Sequence, residues 1–168
     1  MNPTVTKLME LAERIAGHKA LRIYDLELFG SGRGKTLRIF IDRTGEEKVS
    51  LEDCSEFSKA LSLMLDVEDL IDGAYNLEVS SPGIERDLKK PWHYEQSVGK
   101  LVALSLFRPL GQIIPEIEQQ FASRKKLTGT ITSYQDQQLG VEFEGKMLTV
   151  PLETVAKAHW VFDFGKKQ

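Results

Sequence analysis

One cysteine, Cys54, stands in 168 residues, so no internal disulfide can form and the fold must be held by its hydrophobic cores. No apolar run approaches the roughly 20 residues that a membrane-crossing helix needs. Positive charge is in short supply. Lys and Arg number 22 against 25 Asp and Glu, a net of −3, which argues against a surface that grips any polyanion in any orientation. Histidine is scarce as well. His18, His93 and His159 lie far apart and there is no Cys-x-x-Cys, so neither a metal nor another cofactor is expected. No Gly-x-x-x-x-Gly-Lys-Ser/Thr and no Gly-x-Gly-x-x-Gly follows a strand, so nothing points to nucleotide binding. Met1-Asn2-Pro3-Thr4 runs directly into a charged helical pattern. A secretory leader is therefore not expected, and a cytoplasmic location away from any membrane is.

What is present is the composition of a folded chain, 41% hydrophobic and 28% charged. Val5, Leu8, Leu11, Ala12 and Ile15 recur at helical spacing until Gly17. The period then changes to two. Tyr24, Leu26 and Leu28 alternate with acids, and Leu37, Ile39 and Ile41 form a second alternating run, with Gly30-Ser31-Gly32-Arg33-Gly34 as the hairpin loop. Ser50 and Asp53 form a capping box for a helix striped with Leu51, Cys54, Phe57, Leu61, Met64 and Leu65. Val67–Leu70 is expected to add another helical turn before a strand carrying Tyr75, Leu77 and Val79. This αββααβ order, with strands apolar on one face, predicts a two-layer α+β domain over residues 1–88.

The remainder, residues 89–168, changes character. Pro91–Gly99 reads as a helical turn closed by glycine. Strand-like runs follow at 101–107, 127–134, 139–143, 147–150 and 156–162, with a brief 3₁₀ turn over 151–155. Five short strands with that turn before the fifth predict a small SH3-like or Sm-like β-barrel. Trp92 and Tyr94 fall at the seam and are the candidates for an interdomain contact.

Charge divides unevenly. Residues 1–90 hold 13 basic and 17 acidic residues, a net of −4, and residues 91–168 hold 9 and 8, a net of +1. Acidic pairs Glu46-Glu47 and Glu68-Asp69 lie in the first half. The only run of three basic residues is Arg124-Lys125-Lys126, which leads into a strand and suits steering of phosphates. A solvated strand edge is its plainer explanation. Arg33 and Lys35 lie on a hairpin tip, where basic residues are common.

The stretch Glu78-Val79-Ser80-Ser81-Pro82-Gly83-Ile84-Glu85-Arg86-Asp87-Leu88 has two readings. Ser81-Pro82-Gly83-Ile84 has the residues of a type II turn, which accounts for Pro82 and Gly83 without a ligand. Ser80, Ser81 and Arg86 are also the groups a phosphate or carboxylate site uses, while Glu85 and Asp87 offer Arg86 local ion pairs. Cys54 falls on an apolar stripe and reads as core.

This stretch, the tryptophan-bearing turn after it, Arg124-Lys125-Lys126-Leu127-Thr128-Gly129-Thr130-Ile131 and the segment Val150–Phe164 together resemble the RimP family of bacterial ribosome maturation factors, in order along nearly the whole chain. The resemblance implies an N-terminal domain related to KH folds and a C-terminal Sm-like barrel. It further implies a non-catalytic monomer that binds the free 30S subunit, 16S rRNA and small-subunit proteins included. The expected role is late assembly around the decoding region, including docking of the twelfth small-subunit protein against the barrel. Candidate ribosome-binding residues are then Arg124, Lys125, Lys126, Ser80, Ser81 and Arg86. Two features depart from the pattern. No Gly-x-x-Gly loop joins two helices, so KH-type RNA clamping is not carried over. The connection 108–122 is longer than expected, and Pro115-Glu116-Ile117 reads as the start of a short helix.

Two other classes compete. A general RNA-binding or RNA-chaperone module would rest on the barrel, and the net charge counts against it. An enzyme at the seam would use Ser80, Ser81 and Arg86 with an acid, and no histidine is near the serines in sequence to activate them. The turn itself is testable. Gly83→Ala is expected to cost about 1 kcal/mol, because a Cβ is poorly tolerated at positive φ, and thermal melts measure it; an unchanged melting temperature would count against the turn.

Overall fold

The computed structural model describes residues 2–45, 47–83 and 86–161. Glu46 of the acidic pair, Ile84 and Glu85 of the turn and Phe162 of the last expected strand lie outside the described residues. The chain forms two compact units, Met1–Pro82 and Gly83–Gln168.

The first unit begins with α1 (Pro3–Gly17), opened by Asn2, whose Oδ1 accepts the Thr4 N–H at 2.9 Å. Strands β1 (Leu21–Phe29) and β2 (Thr36–Arg43) pair antiparallel, and β3 (Asn76–Ser80) pairs parallel to β2. A parallel neighbour needs a crossover, and α2 (Leu51–Glu68) supplies it. Leu37, Ile39 and Ile41 are fully buried against Leu8 and Leu11 of α1 and Phe57 and Leu61 of α2, so the helices cover one sheet face. The expected alternation in β1 is broken by a bulge between Ile23 and Asp25. Leu21 and Ile23 thereby join Leu26 and Leu28 in the core, which a strict period of two from Tyr24 could not achieve.

The unit has one helix where two were expected after β2. Its order is αββαβ, because α2 itself runs to Glu68. Asp69 then turns left-handed at φ 49°, and its N–H returns to the Leu65 carbonyl at 2.9 Å, closing the helix. The start of α2 is a capping box: Ser50 Oγ accepts the Asp53 N–H at 3.0 Å, and Asp53 Oδ2 accepts the Ser50 N–H at 2.8 Å. Arg43, the last residue of β2, adds two hydrogen bonds to the same carboxylate at 2.9 and 2.8 Å.

The second unit is a five-stranded antiparallel sheet. In chain order it holds β4 (Leu101–Leu106), β5 (Lys126–Gln135), β6 (Gln138–Phe143), β7 (Lys146–Pro151) and β8 (Val155–Trp160), arranged β7-β6-β5-β4-β8. Among the described residues β7 and β8 do not pair, so the ladder is a sheet with two edges rather than a closed ring. Val102, Leu104, Ile131, Leu139, Val141 and Val150 are buried on its inner face. A 3₁₀ turn, Leu152–Thr154, precedes β8.

The 108–122 connection folds differently from the expectation. Pro115 does not open a helix. The helical turn α4 (Leu110–Ile113) comes before it, and Gln119–Phe121 forms a 3₁₀ turn after it. Leu110 is fully buried, and Ile113, Ile114, Ile117 and Phe121 pack on the same core. The segment is therefore a lid for the sheet's hydrophobic face. Its ends are clamped by Leu110 N–H to Arg124 O at 2.7 Å and Gly111 N–H to Ala122 O at 2.9 Å. Gly111 is required there, since a Cβ would come within 2.9 Å of Ala122 Cβ.

The segment before α3 (Pro91–Glu95) also belongs to this unit. Leu88 is buried in its core and donates to Ala158 O at 2.8 Å, and Arg86 O accepts the Trp160 N–H at 3.0 Å. Gly83 and residues 86–88 thus group with the second unit, whereas the sequence reading drew the boundary after residue 88.

Two outcomes are expected. The Asp53 carboxyl is held below the usual carboxylate range, first by the Ser50 N–H and then by Arg43. A depressed carboxyl contributes stability above its unfolded pKa and loses it as pH falls through the folded one. Asp53→Asn should therefore lower the melting temperature at neutral pH, with the gap to the parent closing progressively below about pH 4. Thermal melts across pH test this. A chain beginning at Gly83 should also be more stable than one beginning at Lys90 by roughly 2 kcal/mol, the burial worth of Leu88. Urea unfolding of the two fragments measures the difference, and equal midpoints would remove Leu88 from the core.

Candidate functional site

The basic triplet lies where the lid returns to the sheet. Backbone hydrogen bonds hold all three residues in line: Arg124 O accepts from Leu110, Lys125 O accepts the Leu106 N–H at 2.7 Å, and Lys126 pairs with Ser105 in the β4–β5 ladder. All three residues are exposed. The Arg124 guanidinium lies 5.5 Å from the Phe143 ring and 5.8 Å from Phe121, and those rings meet edge to face at 5.1 Å. The arginine is oriented by the aromatic pair, while Lys125 and Lys126 project from a fixed backbone.

Register adds residues that no local motif announced. Ser105 pairs with Lys126 on one side and with Lys157 of β8 on the other. Residues directly opposite in a ladder share a face, so Lys126, Ser105 and Lys157 form one outward row. The next row is Thr128, Ala103 and His159. Lys157 alternates with buried Ala158, which was a readable sign that it faces outward. Its place beside Lys126 depends on β8 pairing with β4, and sequence does not reveal that.

Arg86 is built into a different part of the same unit. Its guanidinium stacks 4.1 Å from the Trp160 ring, donates to Gln96 Oε1 at 3.1 Å and reaches Gly83 O at 3.3 Å. Trp160 is fixed in turn, donating from Nε1 to Ser97 Oγ at 2.8 Å, and Ser97 donates to His93 O at 2.6 Å. His93 is fully buried, and its Nδ1 accepts the N–H groups of Lys89 and Lys90 at 2.9 and 3.0 Å, so this nitrogen is unprotonated. Sequence reasoning passed over this polar network because its members are spread from His93 to Trp160. Trp160 stands opposite Val102, and Lys126 stands opposite Ser105. Arg86 and the triplet are thus about 10 Å apart along β4 and do not share one binding spot.

Ser80 ends β3 and Ser81 follows it, both exposed in the first unit. Ser80 rims an open groove of about 700 Å³ between β2, β3 and α2, lined also by Arg38, Cys54, Ser58 and Glu78. Arg38 and Glu78 pair across the strands at 2.9 Å. Burial, with a contribution from Asp53, pushes the Cys54 thiol up, away from the thiolate a nucleophile needs. Gly83 has φ +84°, the left-handed geometry its turn sequence asks for, and Pro82 precedes it.

Trp92 is half-buried, with His93 edge to face at 4.4 Å. Tyr94 is buried in the core of the second unit. Its ring stacks on Tyr134 at 6.0 Å and its hydroxyl donates to Leu88 O at 3.4 Å. Burial, with Tyr134 adding to it, pushes this phenol up to about 12, so it stays neutral. Among the described residues, no group of three or more His, Cys, Asp or Glu side chains could hold a metal ion.

The chemistry this arrangement supports is charge recognition on a fixed outer face. The family model of the RimP N-terminal domain matches residues 11–85, from within α1 to just past β3, and this match supports the RimP family of ribosome maturation factors.

Proposed function

We propose that this protein binds the free 30S subunit as a non-catalytic monomer in the cytoplasm and assists its late assembly around the decoding region. Its partners on this reading are 16S rRNA and small-subunit proteins, including the twelfth. The match to the RimP N-terminal domain supports the ribosomal role. The observation that carries the choice of surface is the exposed, backbone-fixed run Arg124-Lys125-Lys126 on a chain of net charge −3. Ribosomal RNA is a dense polyanion, and an acidic protein can approach it productively only through a local basic edge. Ser80, Ser81 and Arg86 are proposed as further contacts.

We also read the two units as the folds the family resemblance implies. The strand order β7-β6-β5-β4-β8 and the 3₁₀ turn before β8 favour an SH3-like or Sm-like barrel for the second. The αββαβ order favours a KH-related first domain.

The test is binding of purified 30S subunits by the parent and by a variant carrying Arg124→Glu, Lys125→Glu and Lys126→Glu, at two salt concentrations. The variant should bind more weakly, and its log–log salt slope should shrink by roughly 0.7–0.9 per lost phosphate contact. The Lys positions should cost the fold little. Losing the Arg124 stack should cost about 0.5–1 kcal/mol, which circular dichroism melts would register. Equal affinities and slopes with both proteins folded would move the interface elsewhere. Tight, salt-sensitive binding to arbitrary RNA without preference for 30S would favour the general RNA-binding module instead.

A further inference from the structure

Phe107 is 65% exposed at the end of β4. One exposed aromatic is ordinary on a protein surface; its surroundings are what set this one apart. Its backbone is fixed, since its N–H donates to Thr154 O at 2.9 Å and the preceding Leu106 is buried and bonded to Lys125 O. Arg124, Lys125 and Lys126 enter β5 on one side of the β4 end. Lys157 stands on the other side, opposite Ser105, and the exposed Arg108 follows directly. Lys126 and Lys157 thus stand on either side of the strand end that carries this exposed ring. The outward rows beside it carry only small or hydrogen-bonding side chains at their centre, Ser105, Ala103 and Thr128, so a chain can lie flat across the strands. Acids near the margin include Glu153, beside the Thr154 anchor, Asp87, whose backbone bridges that of His159 at the far edge, and the exposed Glu142, opposite Thr130.

We propose that this end of the second sheet is a stacking platform for an unpaired RNA base. The ring of Phe107 takes the base face, and Lys126 and Lys157 take the phosphates on either side. The inference rests on the reading that the partner is ribosomal RNA, and it specifies that the RNA is single-stranded where it is touched. Every base has a π-face, so an aromatic ring in a positive groove binds unpaired nucleotides with little regard to sequence. A base paired inside an A-form helix does not offer that face. Cations of one sign on both flanks of the ring match a polyanion that runs across it.

The experiment uses the full chain and a single-stranded RNA of about ten nucleotides carrying 2-aminopurine, whose fluorescence is quenched on stacking. The parent should quench it at low salt. Phe107→Ala should abolish the quench and weaken binding roughly 5- to 150-fold, the range that loss of one base stack produces, while Phe107→Tyr should retain both. Lys126→Gln and Lys157→Gln should each flatten the salt slope by about 0.7 while leaving the quench at saturation. The same sequence in a duplex should show no quench that depends on Phe107. Circular dichroism checks that each variant is folded. Quenching that persists in Phe107→Ala, or no binding of the single strand by the parent, overturns the platform. So does a loss of 30S binding in Phe107→Ala without any oligonucleotide stacking, which would make the patch a protein contact. If the parent sediments with 30S but does not stack the base, the platform fails and the ribosomal reading stands. Stacking without 30S binding supports the platform and removes the ribosomal reading.

Discussion

Strand β4 is bonded along both edges, to β5 and to β8, and the second unit depends on that double pairing. On the inner face it brings Val102, Leu104 and Leu106 against Leu127 and Ala158, the centre of the hydrophobic core. On the outer face the same register puts Lys126 and Lys157 on either side of Ser105. A one-residue slip of either partner would exchange the two faces, exposing apolar side chains and burying lysines. Core and charged face are therefore specified by one set of hydrogen bonds, and the surface chemistry is as rigid as the core beneath it.

The 108–122 segment reinforces this arrangement. A five-stranded sheet buries one face only if something covers the end of its core, and Leu110, Ile113, Ile114, Ile117 and Phe121 do so here. Because the lid is pinned at Arg124 and Ala122, closing the core also aligns the basic triplet. Arg124 completes the link, since its guanidinium lies against Phe121 from the lid and Phe143 from the sheet. The insertion that departed from the family pattern is thus tied to the surface proposed to meet RNA. At the other end of β4, His93, Ser97 and Trp160 form a chain of hydrogen bonds that ends under Arg86. There the guanidinium is held in place by Trp160 and Gln96, while the lysines at the opposite end stand exposed.

In the first unit the corresponding joint is Asp53. One carboxylate closes the α2 capping box and receives two hydrogen bonds from Arg43, so the start of the crossover helix is tied to the end of the strand that precedes it. A parallel β2–β3 pair depends on that helix returning over the sheet. The acids on α2 leave this unit negative overall, which suits a protein that must meet RNA through a limited part of its surface.

Much of the architecture was legible in the sequence because it is local. Helical and two-residue periods located α1, α2 and the eight strands of the described residues, and the Ser50–Asp53 spacing located a cap. The triplet Arg124-Lys125-Lys126 was visible as a run. Errors arose where a local pattern met a competing constraint. Tyr24 began an alternation that a bulge interrupts, Asp69 ended a helix expected to be followed by another turn, and Pro115 stood between helical turns rather than opening one. What only the tertiary structure decided is the company each residue keeps. Nothing along the chain says that the outward-facing Lys157 stands beside Ser105 and Lys126, or that the Arg86 guanidinium stacks on Trp160. The physical reason is that periodicity records which side of a strand a residue occupies, whereas its neighbours on that side are set by strand order and register, which are fixed by packing between segments distant in sequence.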